Sequence, residues 1–343
     1  MTIINLMLGK HRGGLEQAAL DYAQALAQAN IPALSVIAPG AWVEAPMVAA
    51  GVAHESLRTH GRFDLFAAHR LRTLARRSAA TAVICHGNRA LSLALRAFNA
   101  ADAPKVIAVA HNYKTKRFRK ADACFAITAH LAQHLRLSGA KNIHRIPNMV
   151  RLPPAAPRGG FRTPPVIGSM GRLHPVKDVP TLIESLALLQ ARGIAFTAIL
   201  GGEGGEAARI DSLIARHRLE SRLRRIGWVQ NKSAFFASID LFILPSRSEA
   251  FGLALIEAMS HGVPVISTDA EGPRAIIHPG VDGLLVPRAD PEALADALAA
   301  LLADPARAAA LGEAGRRLVA HEYSMEAMAG RLQTALTPYI TPV

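Results

Sequence analysis

Cysteine is nearly absent: Cys85 and Cys124 are the only two in 343 residues. That excludes a disulfide framework and a cysteine-rich zinc site. Each lies in an apolar run, Ala82–Cys85 or Ala123–Ile127, where a buried reduced thiol is expected, so a reducing cytoplasm is the compartment that fits. No stretch approaches the ~18 uninterrupted apolar residues of a membrane-spanning helix. The opening Met1–Leu8 is a short apolar run with no basic segment before it, which reads as a first strand and not as a signal peptide. Acidic residues are also in deficit. Against 39 Lys and Arg stand 26 Asp and Glu, a balance of +13 with a pI near 10.5. Such a balance points to an anionic partner, whether nucleic acid, membrane surface or phosphorylated ligand, without choosing among them.

Apolar material is plentiful, at half of all residues, and only 19% are charged. Packed cores are therefore expected and extended disorder is excluded. The length exceeds a single core and implies two domains of roughly 150–190 residues. Short apolar runs alternate with longer amphipathic segments, the pattern of a parallel sheet covered by helices. In the first half, strands fit Thr2–Leu8, Ala33–Ala38, Ala82–Cys85, Lys105–Ala110, Ala123–Ile127 and Asn142–Ile146, with helices over Leu15–Ala29, Phe63–Arg77 and Ala129–Leu137. The segment Leu152–Pro165 then carries five prolines and two glycines in fourteen residues. It continues neither a helix nor a central strand and reads as a hinge. Beyond it, strands fit Val166–Met170, Ala195–Leu200, Leu223–Ile226, Leu241–Leu244, Val263–Ser267 and Leu284–Val286. Helices fit Val179–Arg192, Glu206–Arg216, Lys232–Ser238, Gly252–Ser260 and Pro291–Leu302.

The expected organisation is a first α/β domain over 1–150, a hinge over 151–165 and a second α/β domain over 166–323. A last amphipathic helix within 324–343 is expected to pack back across the hinge. Two open sheets so joined would place a ligand cleft between them, at the carboxyl ends of the strands. The charge divides unevenly at the hinge. Residues 1–150 hold 19 Lys and Arg against 7 Asp and Glu, or +12, whereas residues 151–343 hold 20 against 19, or +1. Phosphate binding in the second domain therefore does not account for the excess.

The second domain opens with Gly168-Ser-Met-Gly171-Arg172-Leu-His-Pro-Val-Lys177, a strand running into a glycine-bearing loop and a helix. Glycine lets backbone approach a ligand, and Arg172 and Lys177 are spaced so that both could reach one diphosphate. Alone, this is equally the signature of a turn followed by solvated charges. Pro245-Ser-Arg-Ser-Glu249-Ala-Phe251-Gly252-Leu253-Ala-Leu-Ile-Glu257 is more specific. A strand ends at Leu244 and a helix starts near Gly252, whose free N–H groups and positive dipole end suit an anion. Glu249 precedes that terminus, and Glu257 lies eight residues on, at most about 12 Å along a helix. One carboxylate could accept from sugar hydroxyls on one side of a diphosphate while the other grips a ribose diol on the far side. Glutamates on a helix usually mark a solvated face, but Glu257 sits within an otherwise apolar one.

Gly171-Arg-Leu-x-x-x-Lys177 followed by Glu249-x7-Glu257 resembles the donor site of the retaining, GT-B-fold glycosyltransferases of family 4. The resemblance spans nearly all of residues 166–303, including Gly201-Gly-Glu-Gly204, Gly227-Trp-Val229 and Glu257-Ala-Met-Ser-His-Gly-Val-Pro-Val-Ile266. It implies that Arg172 and Lys177 neutralise the donor diphosphate, Glu249 contacts the donor sugar and Glu257 the ribose. Backbone amides near Phe251, Gly252 and Leu253 would meet sugar and phosphate. Gly202, Glu203, Gly204, Trp228, Val229 and Glu257 would line the nucleotide pocket.

The first domain is a fainter match. Gly13-Gly14, opening a helix after the first strand, resembles the family's glycine loop near the transferred sugar. His111, at the carboxyl end of Val106–Ala110, fits its active-site histidine, and His86 holds a similar strand-end place. Ile146-Pro147-Asn148-Met149-Val150 carries Met149 where the family usually has Gly, a departure confined to the turn.

The expected fold is thus α/β of the GT-B kind, two Rossmann-like parallel-sheet domains facing across a cleft. The expected activity is sugar transfer from a nucleotide diphosphate, a UDP-sugar preferred, to a hydroxyl of a glycan or glycolipid acceptor. Anomeric configuration would be retained by front-face attack, with His111 holding a sugar hydroxyl or the reacting geometry; catalysis rests on His111, Glu249, Arg172 and Lys177. Since two cations and a helix end supply positive potential where charge develops, no metal or other cofactor is expected.

Bacterial lipopolysaccharide or another cell-envelope glycan is the preferred setting. An anionic membrane, at the cytoplasmic face of the inner membrane, is the expected partner of the basic first domain. Two other readings stay open: a nucleotide-sugar epimerase on the same architecture, and a nucleic-acid binder suggested by the charge alone. The run Lys114-Thr-Lys-Arg-Phe-Arg-Lys120 suits phosphodiesters or anionic lipid, but no nucleic-acid motif surrounds it, so no nucleic-acid partner is expected.

Overall fold

The computed structural model describes residues 1–61, 64–100, 102–154 and 159–340. Phe63, the expected start of a helix, and residues 155–158 of the Pro/Gly-rich segment lie outside the described residues. The chain forms two compact units, Met1–Met149 with Tyr323–Val343, and Val150–Glu322.

In the first unit, apolar runs too short for helices and buried on both faces pair as parallel strands. These are β1 (Thr2–Met7), β2 (Ala33–Ile37), β3 (His54–Ser56), β4 (Ala80–His86), β5 (Lys105–Ala110), β6 (Ala123–Ala126) and β7 (Ile143–Arg145). Their order is β3-β2-β1-β4-β5-β6-β7, parallel throughout. The edge strands are the short polar ones, His-Glu-Ser and Ile-His-Arg, which blunts an open edge. Helices α1 (Gly14–Gln28), α2 (Glu44–Ala49), α3 (Leu65–Arg77), α4 (Gly87–Ala97) and α5 (Ala129–Leu137) make the crossovers.

The second unit repeats the plan with β8 (Val166–Met170), β9 (Thr197–Gly201), β10 (Leu223–Arg225), β11 (Leu241–Leu244), β12 (Val265–Thr268) and β13 (Leu284–Val286), in the order β10-β9-β8-β11-β12-β13. Its helices are α6 (Val179–Ala191), α7 (Ala207–Arg216), α8 (Lys232–Ala237), α9 (Leu253–Ser260), α10 (Glu271–Arg274), α11 (Pro291–Ala303) and α12 (Pro305–Glu322). The chain then re-enters the first unit as α13 (Met325–Ile340), which packs on α1 and β4.

Several boundaries differ from those read in the sequence. β12 starts at Val265, not Val263, because Pro264 has no N–H to give a ladder. The expected Asn142–Ile146 shrinks to the three residues of β7, and Ala195–Leu200 shifts to Thr197–Gly201. The pattern did not reveal β3, which is polar, or α12, whose many alanines and two glycines leave a faint apolar stripe.

Each unit has its own core. In the first, Ile3, Tyr22, Leu26, Ile84 and Phe125 pack with Met328, Leu332 and Leu336 of α13. Those α13 positions recur every four residues and form one buried stripe. Burying a Leu or Met side chain contributes about 1.5–3 kcal/mol, so the last helix is an integral wall of the first unit. Leu332 is wholly buried. Leu332→Ala should cost about 2–5 kcal/mol and lower the thermal unfolding midpoint by several degrees; an unchanged midpoint would show α13 to be dispensable.

Candidate active site

In the second unit the strand order reverses between β8 and β11, which makes the carboxyl ends of these two strands the topological switch point. The loops leaving these ends, the two motif segments Gly171–Lys177 after β8 and Pro245–Gly252 after β11, lie side by side and are bonded to each other. Backbone bonds also tie the first to its other neighbours. Gly171 N–H donates to Gly201 O at 3.0 Å, Leu173 N–H to Glu203 O at 2.8 Å, and Gly202 N–H to Gly227 O at 2.6 Å. The approach leaves no room for side chains. A Cβ at Gly202 would stand 1.9 Å from Gly171 O, and one at Gly204 would stand 2.2 Å from Leu173 O.

The second loop is tied in the same way. Arg247 N–H donates to Val176 O at 2.9 Å, Gly272 N–H to Glu249 O at 2.8 Å, and Thr268 Oγ1 to Ser246 O at 2.5 Å. The Arg247 side chain pairs with Asp178 Oδ2 at 2.8 Å. After Gly252, in a left-handed conformation with φ +104°, α9 begins without a side-chain cap. Its first amides have no intrahelical acceptor and are available to an anion. Phe251 is buried beside this terminus.

Lys177 pairs with Glu249, both largely buried. Of the two expected diphosphate cations, one is thus already balanced by a carboxylate. Arg172 is exposed and, among the described residues, lies within 4 Å of no carboxylate. Glu257 pairs with Lys232, the first residue of α8 and close in sequence to Gly227-Trp228-Val229. Burial raises the Glu257 carboxyl above the ordinary carboxylate range, against the pull of Lys232. Leu255, Ile256, Ala258 and Met259 around it on α9 are buried or nearly so. Glu249 and Glu257 therefore answer to different cations and do not act as a carboxylate pair. Val229 is buried, Trp228 half-buried and Glu203 exposed.

In the first unit the strand order reverses between β1 and β4. Gly13, extended, and Gly14 open α1 after β1, and the helix has no side-chain cap. Glu16, in its first turn, is buried and brings negative charge to this end. That suits a neutral hydroxyl-bearing group better than a phosphate.

His86 ends β4, and His111 directly follows β5. A chain of hydrogen bonds fixes their protons. Asn5 Nδ2 donates to Ala19 O at 2.8 Å, which turns its Oδ1 to His86 Nε2, also at 2.8 Å. His86 Nε2 must carry the proton, so its bare Nδ1 accepts from His111 Nε2–H at 3.2 Å. His111 is left with Nδ1 as a hydrogen-bond acceptor. Burial lowers the His86 pKa well below its ordinary value, with His111 adding a smaller push, and lowers that of His111 to about 4. Both rings are neutral at pH 7. Arg172, Lys177, Glu249 and the α9 end are thus brought together in one unit, while Gly13, Gly14 and His111 belong to the other.

Sequence reasoning missed Asn5, Asp178 and Lys232. Asn5 carried a signal, as the polar residue inside Ile3-Ile4-Asn5-Leu6-Met7. Asp178 and Lys232 carried none, since their partners are distant in sequence.

Two Rossmann-like parallel-sheet units with these loops at the switch points define an α/β protein of the GT-B class. Residues 156–318 match the family described as glycosyl transferases group 1, and residues 12–152 match glycosyltransferase family 4. The chain belongs to the family 4 glycosyltransferases. It is 28% identical over 337 residues to the lipopolysaccharide core biosynthesis glycosyltransferase LpsE of Rhizobium meliloti (strain 1021), covering 96% of each chain. With the lipopolysaccharide core biosynthesis mannosyltransferase LpcC of Rhizobium leguminosarum bv. viciae it shares 28% identity over 218 residues, 61% of this chain and 62% of that one. Among solved structures, Anabaena HepE in complex with UDP and glucose matches the fold with a TM-score of 0.83, covering 98% of this chain and 99% of that one at 19% identity. No helix among the described residues is long and apolar enough to cross a membrane.

Neutral, depressed histidines make the first unit's stability depend on pH. The unfolded chain protonates them below about pH 6.5, whereas folded His111 resists protonation until about pH 4. Their contribution is present above pH 6.5 and is lost as pH falls towards 4. Denaturant unfolding should show this slope, and His86→Phe/His111→Asn should flatten it. Histidine ¹⁵N spectra at pH 7 should show His111 as the neutral Nε2–H tautomer; a protonated ring at that pH would refute the hydrogen-bond chain.

Proposed function

We propose that this glycosyltransferase moves a sugar from a nucleotide diphosphate, a UDP-sugar first, to a hydroxyl of a glycan or glycolipid acceptor, with the anomeric configuration retained. The observation that carries this is the convergence, at one switch point, of exposed Arg172, the Lys177–Glu249 pair and the uncapped start of α9. As the bond from the anomeric carbon to the diphosphate breaks, negative charge grows on the leaving oxygen. Arg172, Lys177 and the α9 amides supply fixed positive potential there. A diphosphate can take over Lys177 from Glu249, leaving that carboxylate to accept from a donor-sugar hydroxyl. Glu257 and the segment around Trp228 and Val229 serve the nucleoside, with Gly202, Glu203 and Gly204 beside them. The acceptor oxygen attacks on the face the diphosphate leaves, and its proton passes to a departing phosphate oxygen. Neutral His111 offers Nδ1 to a sugar hydroxyl near Gly13 and Gly14 and orients it; with a pKa of about 4 it is a poor base at pH 7.

The setting we infer is assembly of the lipopolysaccharide core. It is supported by likeness to LpsE and LpcC, named for that process, and UDP is supported by the HepE complex. Work at the cytoplasmic face of an anionic membrane is favoured by α3. Leu65 and Phe66 there are 65% and 85% exposed, on a helix that carries Arg70, Arg72, Arg76 and Arg77.

Lys177→Ala should lower transfer from a UDP-sugar on the order of 100-fold or more and weaken UDP binding, while circular dichroism stays unchanged. Full activity would sink the diphosphate assignment. Glu249→Gln should collapse transfer but leave UDP affinity equal or higher, since it frees Lys177; a parallel loss of UDP affinity would contradict its place beside the sugar. Product NMR should show the donor's anomeric configuration, and inversion would overturn retention. A chelator should leave the rate unchanged if the cations and helix end supply all the charge stabilisation; a chelator-sensitive rate restored by Mg²⁺ or Mn²⁺ would refute metal independence.

A further inference from the structure

The basic run Lys114–Lys120 is folded, and its cations gather around one cavity. Thr115 and Phe118 are buried, Thr115 Oγ1 lies 2.9 Å from His134 Nε2, and Phe118 N–H donates to Thr115 O at 2.9 Å. Asn88 Nδ2 donates to Lys114 O at 2.9 Å, which ties the run to the start of α4. With those anchors inside, Lys114, Lys116, Arg117, Arg119 and Lys120 join Arg89 around a cavity of about 870 Å³. Leu8, following β1, Arg89, near the start of α4 after β4, and Tyr113, after β5, also line it. The cavity therefore opens at the carboxyl end of the three central strands of the first unit.

None of these six cations lies within 4 Å of a carboxylate among the described residues. Two are held by hydroxyls instead: Arg89 Nη2 donates to Thr59 Oγ1 at 2.6 Å, and Arg117 to Ser92 Oγ. A hydroxyl fixes a guanidinium without cancelling its charge. Like charges held together repel, even in water. That cost is relieved when an anion enters. The volume falls in the ~300–1,000 Å³ range of small-ligand sites and far exceeds one phosphate. Tyr113, exposed in the lining of the same cavity, gives a pyranose ring an aromatic side chain to pack on.

We propose that this cavity binds an acidic saccharide, one carrying a phosphomonoester or a carboxylate, as the recognition element of the acceptor. The proposal rests on the transferase reading for the meaning of "acceptor", but the binding site itself does not depend on it. A concave pocket with fixed guanidinium groups favours such a ligand over a flat lipid surface.

The test is NMR titration of the full chain with glucose 6-phosphate, galacturonate and glucose, with phosphatidylglycerol vesicle co-sedimentation and UDP titration in parallel. Both acidic sugars should bind and shift resonances of Lys114–Lys120, and glucose should not. Lys116→Gln/Arg119→Gln, both exposed, should weaken the acidic sugars roughly tenfold or more and leave UDP affinity unchanged. A response to the phosphate alone or the carboxylate alone supports the proposal and names the group. Equal binding of glucose, no binding of either acidic sugar, or binding that the double variant does not weaken would each overturn it. Vesicle binding lost in that variant while sugar binding persists would assign the charge to the membrane and also overturn it. If the wild type fails to bind UDP but binds the acidic sugars, the donor reading falls and this one stands.

Discussion

The backbone-to-backbone closure of three loops at the carboxyl edge of β8, β9 and β10 is the constraint on which the second unit's chemistry depends. Gly171 N–H donates to Gly201 O and Gly202 N–H to Gly227 O, with Leu173 N–H to Glu203 O alongside. Each such bond is worth only about 1 kcal/mol net, yet leaving one unmade where water is excluded costs more. With Gly202 and Gly204 against the carbonyls of residues 171 and 173, the loop bearing Arg172 and Lys177 has little freedom left. The charges of the site are therefore carried on a stiff edge. Preorganisation of this kind is what lets fixed cations stabilise a leaving group without reorganising at the moment of reaction.

Pairing then distributes the charge. Arg247 is balanced by Asp178, Lys232 by Glu257 and Lys177 by Glu249, which leaves Arg172 as the exposed cation without a carboxylate in this set. Lys177 and Glu249 are largely buried, and breaking a buried pair by removing one member is costlier than exchanging its partner for another anion. The proposed entry of a diphosphate is such an exchange. The first unit achieves order by the opposite means, with buried polar groups that carry no charge. Asn5, His86 and His111 form a directional chain whose sense is set at one end by a backbone carbonyl, Ala19 O. One amide orientation thus decides which ring nitrogen His111 presents.

Much of this was legible in the sequence because the signals are local. Apolar runs separated by amphipathic stretches gave two parallel sheets, and the strand-to-helix loops gave Arg172, Lys177, Glu249 and Gly252. The remainder depends on contacts between residues far apart in the chain. Neither the Lys177–Glu249 nor the Lys232–Glu257 pairing follows from spacing, because each spans a crossover. α12 escaped because alanine and glycine blur its apolar stripe, and β3 because an edge strand needs no apolar face. Asn5 is the instructive case: a single polar residue within an apolar strand reads as an interruption until its hydrogen-bonded neighbours, 14, 30 and 81 residues away, are placed.

The net charge also changes meaning once the chain is folded. α13 adds one Glu and one Arg to the first unit, so that unit keeps its +12 and the second its +1. Within the first unit the excess is not spread evenly. Arg89 and the five cations of Lys114–Lys120 line one cavity, and four arginines lie along α3 behind the exposed Leu65 and Phe66. A uniformly basic surface attracts any polyanion. Two separate concentrations, one concave and one on an exposed amphipathic helix, differ in shape as well as in place: the first fits the proposed small acidic ligand, the second the proposed anionic surface. The second unit is almost neutral because its Lys and Arg are nearly equalled in number by Asp and Glu, although Arg172 itself lies near no carboxylate among the described residues. Charge in this protein is therefore partitioned between the units: paired with carboxylates at Lys177, Lys232 and Arg247 in the second, and concentrated around one cavity and along one exposed helix in the first.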